Sequence, residues 1–111
     1  MVNLKIYYSS LDLTVEVFQL LKTPSLLHEY EMSNQLKRAA ISVPANISEG
    51  YLRSKKVFNN HLAIALGSAN EVMTLLILVE RMYVLSLEVL INKYEILCKQ
   101  ITVLRKRINV S

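Results

Sequence analysis

Apolar residues recur every three or four positions along most of this chain, the spacing that lines one face of an α-helix. Four segments carry the pattern. The first is expected to begin near Leu11, with Ser9 capping the free amides and Asp12 completing a reciprocal box. Leu11, Val15, Phe18 and Leu21 then make its inward face. Lys22 and Thr23 lead into Pro24, which has no amide to continue the helix. Ser25 is the expected cap of the second segment, with Glu29 and Glu31 near its positively polarised start. Its stripe is Met32, Leu36, Ala39 or Ala40, Val43 and Ile47. Pro44 falls inside that stripe and leaves the carbonyl of Ala40 without its usual amide, so a bend is predicted there. Gly50 offers a left-handed terminal cap.

Tyr51 to Ser54 reads as a short link in which Ser54 caps the third segment. Phe58, Leu62, Ala65 or Leu66, Ala69, Val72 or Met73, Leu76, Val79 and Tyr83 carry that stripe, and the small run Gly67, Ser68, Ala69 predicts close approach of a neighbouring helix there. The fourth segment starts near Ser86 and runs through Leu87, Leu90 or Ile91, Tyr94, Leu97 or Cys98, Ile101, Leu104 and Ile108. Four periodic segments on short links predict an all-α fold, an antiparallel up-down-up-down four-helix bundle with a proline bend in the second helix, as one domain over residues 1–111. Leu75 to Val79 point around most of a helical turn, so part of that surface falls outside a monomer's core. Self-association is the expected cover.

Composition narrows the classes further. The chain is 52% apolar and 20% charged, which supplies a core and argues against disorder. Two glycines and two prolines are too few for the turns of a small β-sandwich. The net charge of +4 permits an anionic partner without requiring one. Cys98 is the one cysteine and has no internal disulfide partner, which points to a reducing, cytoplasmic setting. The start M-V-N-L-K-I-Y-Y lacks the layout of a targeting segment. No uninterrupted apolar run reaches the roughly 18 to 20 residues of a membrane span, so no membrane partner is expected.

Two longer stretches are specific in combination. Gln35 to Arg53 reads Q-L-K-R-A-A-I-S-V-P-A-N-I-S-E-G-Y-L-R, and Phe58 to Val72 reads F-N-N-H-L-A-I-A-L-G-S-A-N-E-V. With them the chain resembles the 23S rRNA intervening sequence proteins, over almost its whole length. Gln35, Arg38, Pro44, Asn46, Glu49, Gly50 and Arg53 match the first signature of that family, and Gly67, Ser68 and Glu71 the second. The resemblance implies long antiparallel helices assembled as a ring-like homopentamer. More distantly the chain is similar to the accessory bundle proteins of diversity-generating retroelements, which implies an alternative role engaging a reverse transcriptase and nucleic acid. The chain departs from the pattern at Tyr51 and Leu52, where the family often has a smaller or glycine-containing link, and at Leu26 and Leu27, where an aromatic and a proline are common.

Candidate chemistry is sparse. Asn46 and Glu49 lie close enough to Pro44 to serve backbone groups or to pair with Arg38 or Arg53. The competing reading is an anion site made from the two arginines. Ser68 has no base beside it, because His61 is two turns away and an activated hydroxyl needs one within hydrogen-bonding reach. Close packing, with Glu71 contacting another helix, explains this pair better. No Glu-x-x-His pair and no cysteine-histidine spacing suggests a metal, and no catalytic residue, cofactor or enzyme activity is expected. Arg105, Lys106 and Arg107 are accounted for by a helix C-terminus, which favours positive charge. Lys55 and Lys56 stand at a helix start, where positive charge is disfavoured, so with Arg53 they form the more informative cluster. Together with the pair Lys37 and Arg38 they are the candidate contacts to RNA or DNA. The expected role is therefore a non-enzymatic, oligomeric structural or adaptor module, with a nucleic acid or another protein as its partner.

Overall fold

Helix follows helix in the order α1 (Val2–Leu20), α2 (Tyr30–Gly50), α3 (Lys55–Met82) and α4 (Glu88–Val110). The computed structural model describes residues 2–110, with side chains described from residue 5 to residue 109. Each helix packs on its two neighbours in the ring α1–α2–α3–α4. Every cross-contact runs antiparallel. Thr14 reaches Ala40 and Phe18 meets Lys37 between α1 and α2. His61 meets Asn46 and Ser68 meets Ser42 between α2 and α3, and Asn59 meets Asn109 while Asn70 meets Cys98 between α3 and α4. The result is the expected antiparallel four-helix bundle, 47 Å long and 21 × 19 Å across.

The stripes of α2, α3 and α4 are those predicted. Leu36, Ala39, Ala40, Val43 and Ile47 face Phe58, Leu62, Ala65, Ala69, Val72, Leu76 and Val79, and Leu90, Tyr94, Leu97, Cys98 and Ile101 complete the core. Ser54 caps α3 as expected, its hydroxyl accepting from the Val57 amide at 3.2 Å. α4 begins two residues after Ser86, and Glu80 accepts the Leu87 amide at 2.8 Å just before its first turn.

α1 differs from expectation. It starts nine residues before Leu11, and Ser9 and Asp12 lie inside it rather than capping it. Hydroxyls inside the helix bond back to its own carbonyls: Ser10 Oγ donates to Tyr7 O at 2.6 Å and Thr14 Oγ1 to Ser10 O at 2.8 Å. With the extra turns the buried face becomes Ile6, Ser10, Leu13, Val17 and Leu21, while Val15 is exposed and Leu11 and Phe18 are half-buried. Ser25 is likewise not a cap. Turns occupy most of the segment before α2, which begins after Glu29. Leu26 plugs that end of the bundle with no exposed surface, and Leu27 is exposed.

Pro44 sits within an unbroken helix. The carbonyl it orphans, that of Ala40, lies 3.2 Å from Thr14 Oγ1 of α1, which shares its single proton between Ala40 O and Ser10 O. Neither glycine has its expected reason. Gly50 has no positive φ; a Cβ there would lie 2.8 Å from His61 Cβ and 3.0 Å from Phe58 Cδ1, so it is glycine because α2 and α3 touch at that turn. Gly67 is exposed, with nothing within 4 Å of where its Cβ would be, whereas Ala69 of the same small run is fully buried, as is Ala65.

By length and composition α3 is apolar enough to cross a membrane, reaching a mean hydropathy of 1.9 over its most apolar window. The expectation to the contrary counted only uninterrupted runs. In the bundle one face of α3 is core, while Ile64, Ile77, Leu78 and Met82 remain exposed.

Candidate nucleic-acid interface

Antiparallel order decides which charges meet. The α2–α3 link carries Arg53, Lys55 and Lys56, and the end of α4 returns beside the start of α3, bringing Arg105, Lys106 and Arg107 with it. Two bonds fix this juxtaposition: Arg105 Nε donates to Asn59 Oδ1 at 3.0 Å, and Asn59 Nδ2 donates to Asn109 Oδ1 at 3.0 Å. Lys5, at the start of α1, comes to the same end. More than half of the chain's 13 lysines and arginines therefore gather at one end, where Glu49 is the acidic residue present. The opposite end carries Glu29, Glu31, Glu80 and Glu88 against Lys22 and Arg81. A mild net charge thus becomes a strong axial asymmetry.

The link itself is a tight turn. Tyr51 has φ −64° and ψ 135°, Leu52 has φ 66°, and the Arg53 amide donates to Gly50 O at 3.1 Å. Those values describe a type II turn, whose third position favours glycine or asparagine. Leu52 occupies it at a cost of roughly 1 to 2 kcal/mol, and the residue is 86% exposed. Below it the Tyr51 ring packs edge-on against Phe58, centroids 6.2 Å apart, which ties the turn to the core.

Not every expected cation belongs here. Lys37 and Arg38 stand at least 12 residues before the end of α2, about 20 Å along its axis. Lys37 is half-buried, its ammonium 5.4 Å from the Phe18 ring centroid, in a cation–π contact that holds α1 to α2. Arg105, Lys106 and Arg107, read from sequence as dipole partners alone, join the cluster instead. The signal that finds them is the predicted up-down order, which places the last turn of α4 beside the first of α3.

A second polar feature runs between α2 and α3. Asn46 Nδ2 donates to Ser42 O at 2.9 Å and lies 3.1 Å from Ser42 Oγ, while Asn46 Oδ1 meets His61 Nδ1 at 3.0 Å. Because the Asn46 amide nitrogen is already donating, its oxygen must accept, which places a proton on His61 Nδ1. Ser68 Oγ donates to Ser42 Oγ at 2.8 Å. His61 and Ser68 thus belong to one ladder but do not touch, and the ladder holds two helices together without forming a nucleophile–base pair. Glu49 and Glu71 are exposed, and among the described residues the ion pairs are Glu16–Lys93 and Glu95–Lys99, so neither carboxylate makes its expected contact to Arg38, Arg53 or another helix. Gln35 is exposed and lines an outer groove of about 410 Å³ with Glu29, Glu31, Met32, Leu75, Leu78 and Met82. Among the described residues no three His, Cys, Asp or Glu side chains converge as metal ligands.

Two buried groups complete the electrostatics. Burial raises the Cys98 thiol to about 11, helped by the Glu95 charge, and Cys98 Sγ lies 3.6 Å from Asn70 Oδ1. Burial also raises the Tyr94 phenol, which the nearby Thr14 hydroxyl partly opposes. Tyr94 Oη nevertheless has no partner at hydrogen-bonding geometry.

Known proteins place the fold. A structure from Bacteroides thetaiotaomicron VPI-5482, described as a protein of unknown function from the S23 ribosomal protein family, matches with a TM-score of 0.84 and 30% identity, over 96% of this chain and 99% of that one. A comparison with curated proteins finds no match. The family profile for the 23S rRNA-intervening sequence protein matches residues 2–109. Nearly the whole bundle is thus covered, and the chain belongs to the 23S rRNA-intervening sequence protein family.

Proposed function

We propose that this chain is a non-enzymatic, self-associating helical module that binds the phosphate backbone of RNA or DNA through its basic end. The observation carrying this reading is the meeting of Arg53, Lys55 and Lys56 with Lys106 and Arg107 on one end of the rod. Duplex DNA carries about one charge per 1.7 Å of axis, so an end 21 × 19 Å across faces many phosphates at once. Contacts of this kind are electrostatic and largely indifferent to sequence. Self-association is supported by the exposed apolar residues of α3, Ile64, Ile77, Leu78 and Met82, with Gly67 among them. Copies arranged with their axes aligned concentrate the basic ends, and the family resemblance makes five copies the expected number.

The test is a titration of labelled RNA and DNA over a salt series, with chain mass measured by light scattering. Binding is expected at 50 mM salt, with log affinity falling against log salt at a slope of about −4 for four or five phosphates contacted. Reversing Lys55 and Lys56 to glutamate should remove about two from that slope. Uptake that is absent at 50 mM salt, or indifferent to the reversal, rejects the nucleic-acid reading, and a strictly monomeric mass at micromolar concentration rejects self-association.

A further inference from the structure

We infer that Leu52 is an apolar wedge that enters an unstacked base step, so that the basic end prefers bulged or kinked nucleic acid over regular duplex. This rests on the nucleic-acid reading above and adds a selectivity to it. Leu52 holds a left-handed backbone, φ 66°, at a turn position that glycine or asparagine fills without strain, yet the residue is 86% exposed and so buries little apolar surface in the fold. A strained, outward apolar residue at the tip of a cationic turn is explained by what it meets on binding.

The surroundings select the partner. Arg53 follows directly and Lys55 and Lys56 come within four positions, so the same turn presents charge for phosphates and one hydrocarbon side chain beyond them. The turn is held by the Arg53 amide on Gly50 O and by the Tyr51 ring on Phe58, so the direction of Leu52 is set before binding. A single leucine is the size of wedge that opens one base step, as apolar side chains of architectural nucleic-acid binders do. A lipid surface requires far more buried hydrocarbon for stable attachment than one such side chain supplies. A step already unstacked by a bulge removes the cost of opening it.

The experiment compares two labelled RNA duplexes at 50 mM salt, one fully paired and one identical except for a two-nucleotide bulge flanked by 2-aminopurine. The full chain is expected to bind the bulged duplex about tenfold more tightly and to brighten the 2-aminopurine as it unstacks. Leu52→Asn, which accepts the same backbone and keeps every charge, should bind both duplexes at the paired-duplex affinity, leave the fluorescence unchanged, and melt no lower than the parent. Lys55→Glu with Lys56→Glu should weaken both duplexes together. Equal binding of the two duplexes by the parent chain, or a bulge preference that survives Leu52→Asn, overturns the wedge while leaving phosphate binding standing. Failure to bind either duplex overturns both readings. Phosphatidylglycerol vesicles form a further arm, and capture there that depends on Leu52 overturns the wedge by assigning the side chain to lipid.

Discussion

Gly50→Ala makes a sharp test of the packing, because the same substitution at Gly67 should have the opposite sign. At Gly50 the new methyl lies 2.8 Å from His61 Cβ and 3.0 Å from Phe58 Cδ1, against about 3.5 to 4.0 Å for ordinary carbon contact. His61 Cβ is fixed to its backbone, so the last turn of α2 and the first turns of α3 must part by up to about 1 Å. Such overpacking costs about 1 to 3 kcal/mol, and the shift also pulls His61 Nδ1 away from Asn46 Oδ1, now 3.0 Å apart. Better helix propensity returns at most about 1 kcal/mol, and less at a helix terminus. The net expectation is a loss of about 1 to 2 kcal/mol. At Gly67 the methyl meets nothing within 4 Å, so only the propensity gain of about 1 kcal/mol operates. Urea unfolding followed by circular dichroism, at matched chain concentration and with mass checked alongside, measures both. A Gly50→Ala chain as stable as its parent, with an unchanged denaturant slope, refutes the reasoning.

Three further outcomes follow from other contacts. Thr14→Val should cost about 1 to 2 kcal/mol by stranding the Ala40 carbonyl, but less in a Pro44→Ala background, where position 44 regains its amide; equal costs in both backgrounds would show that Thr14 does not serve that carbonyl. Asn46→Ala removes the link between Ser42 and His61 and should lower the melting temperature while leaving RNA affinity unchanged, and a lost affinity at unchanged melting would contradict the structural role. The folded Cys98 thiol titrates near 11 against 9.0 for a free one, so an unfolded chain releases this proton first as pH rises. Stability should be full below about pH 9 and decline toward pH 11, with the raised Tyr94 phenol adding in the same direction. Cys98→Ala should flatten that decline in a urea series at each pH, and an identical slope would remove Cys98 as its source.

How much of this was legible in the chain depends on whether a local pattern or a distant neighbour decided it. Helical periodicity, the Ser54 cap, the stripes of α2 to α4 and the antiparallel order followed from residue spacing, because burying an apolar face and closing short links leave few arrangements. The family signature was legible for the same reason. Tertiary packing alone decided the length and phase of α1, whose buried face depends on lying between α2 and α4. It also decided which glycine is crowded, that Thr14 stands beside the carbonyl Pro44 leaves open, and that Asn46 and Ser68 share a ladder. The basic end combined both levels: its charges were visible singly, but residues some fifty positions apart become one surface only when α4 runs back beside α3. Contacts across a bundle have no period along the chain, so only the folded rod brings them together.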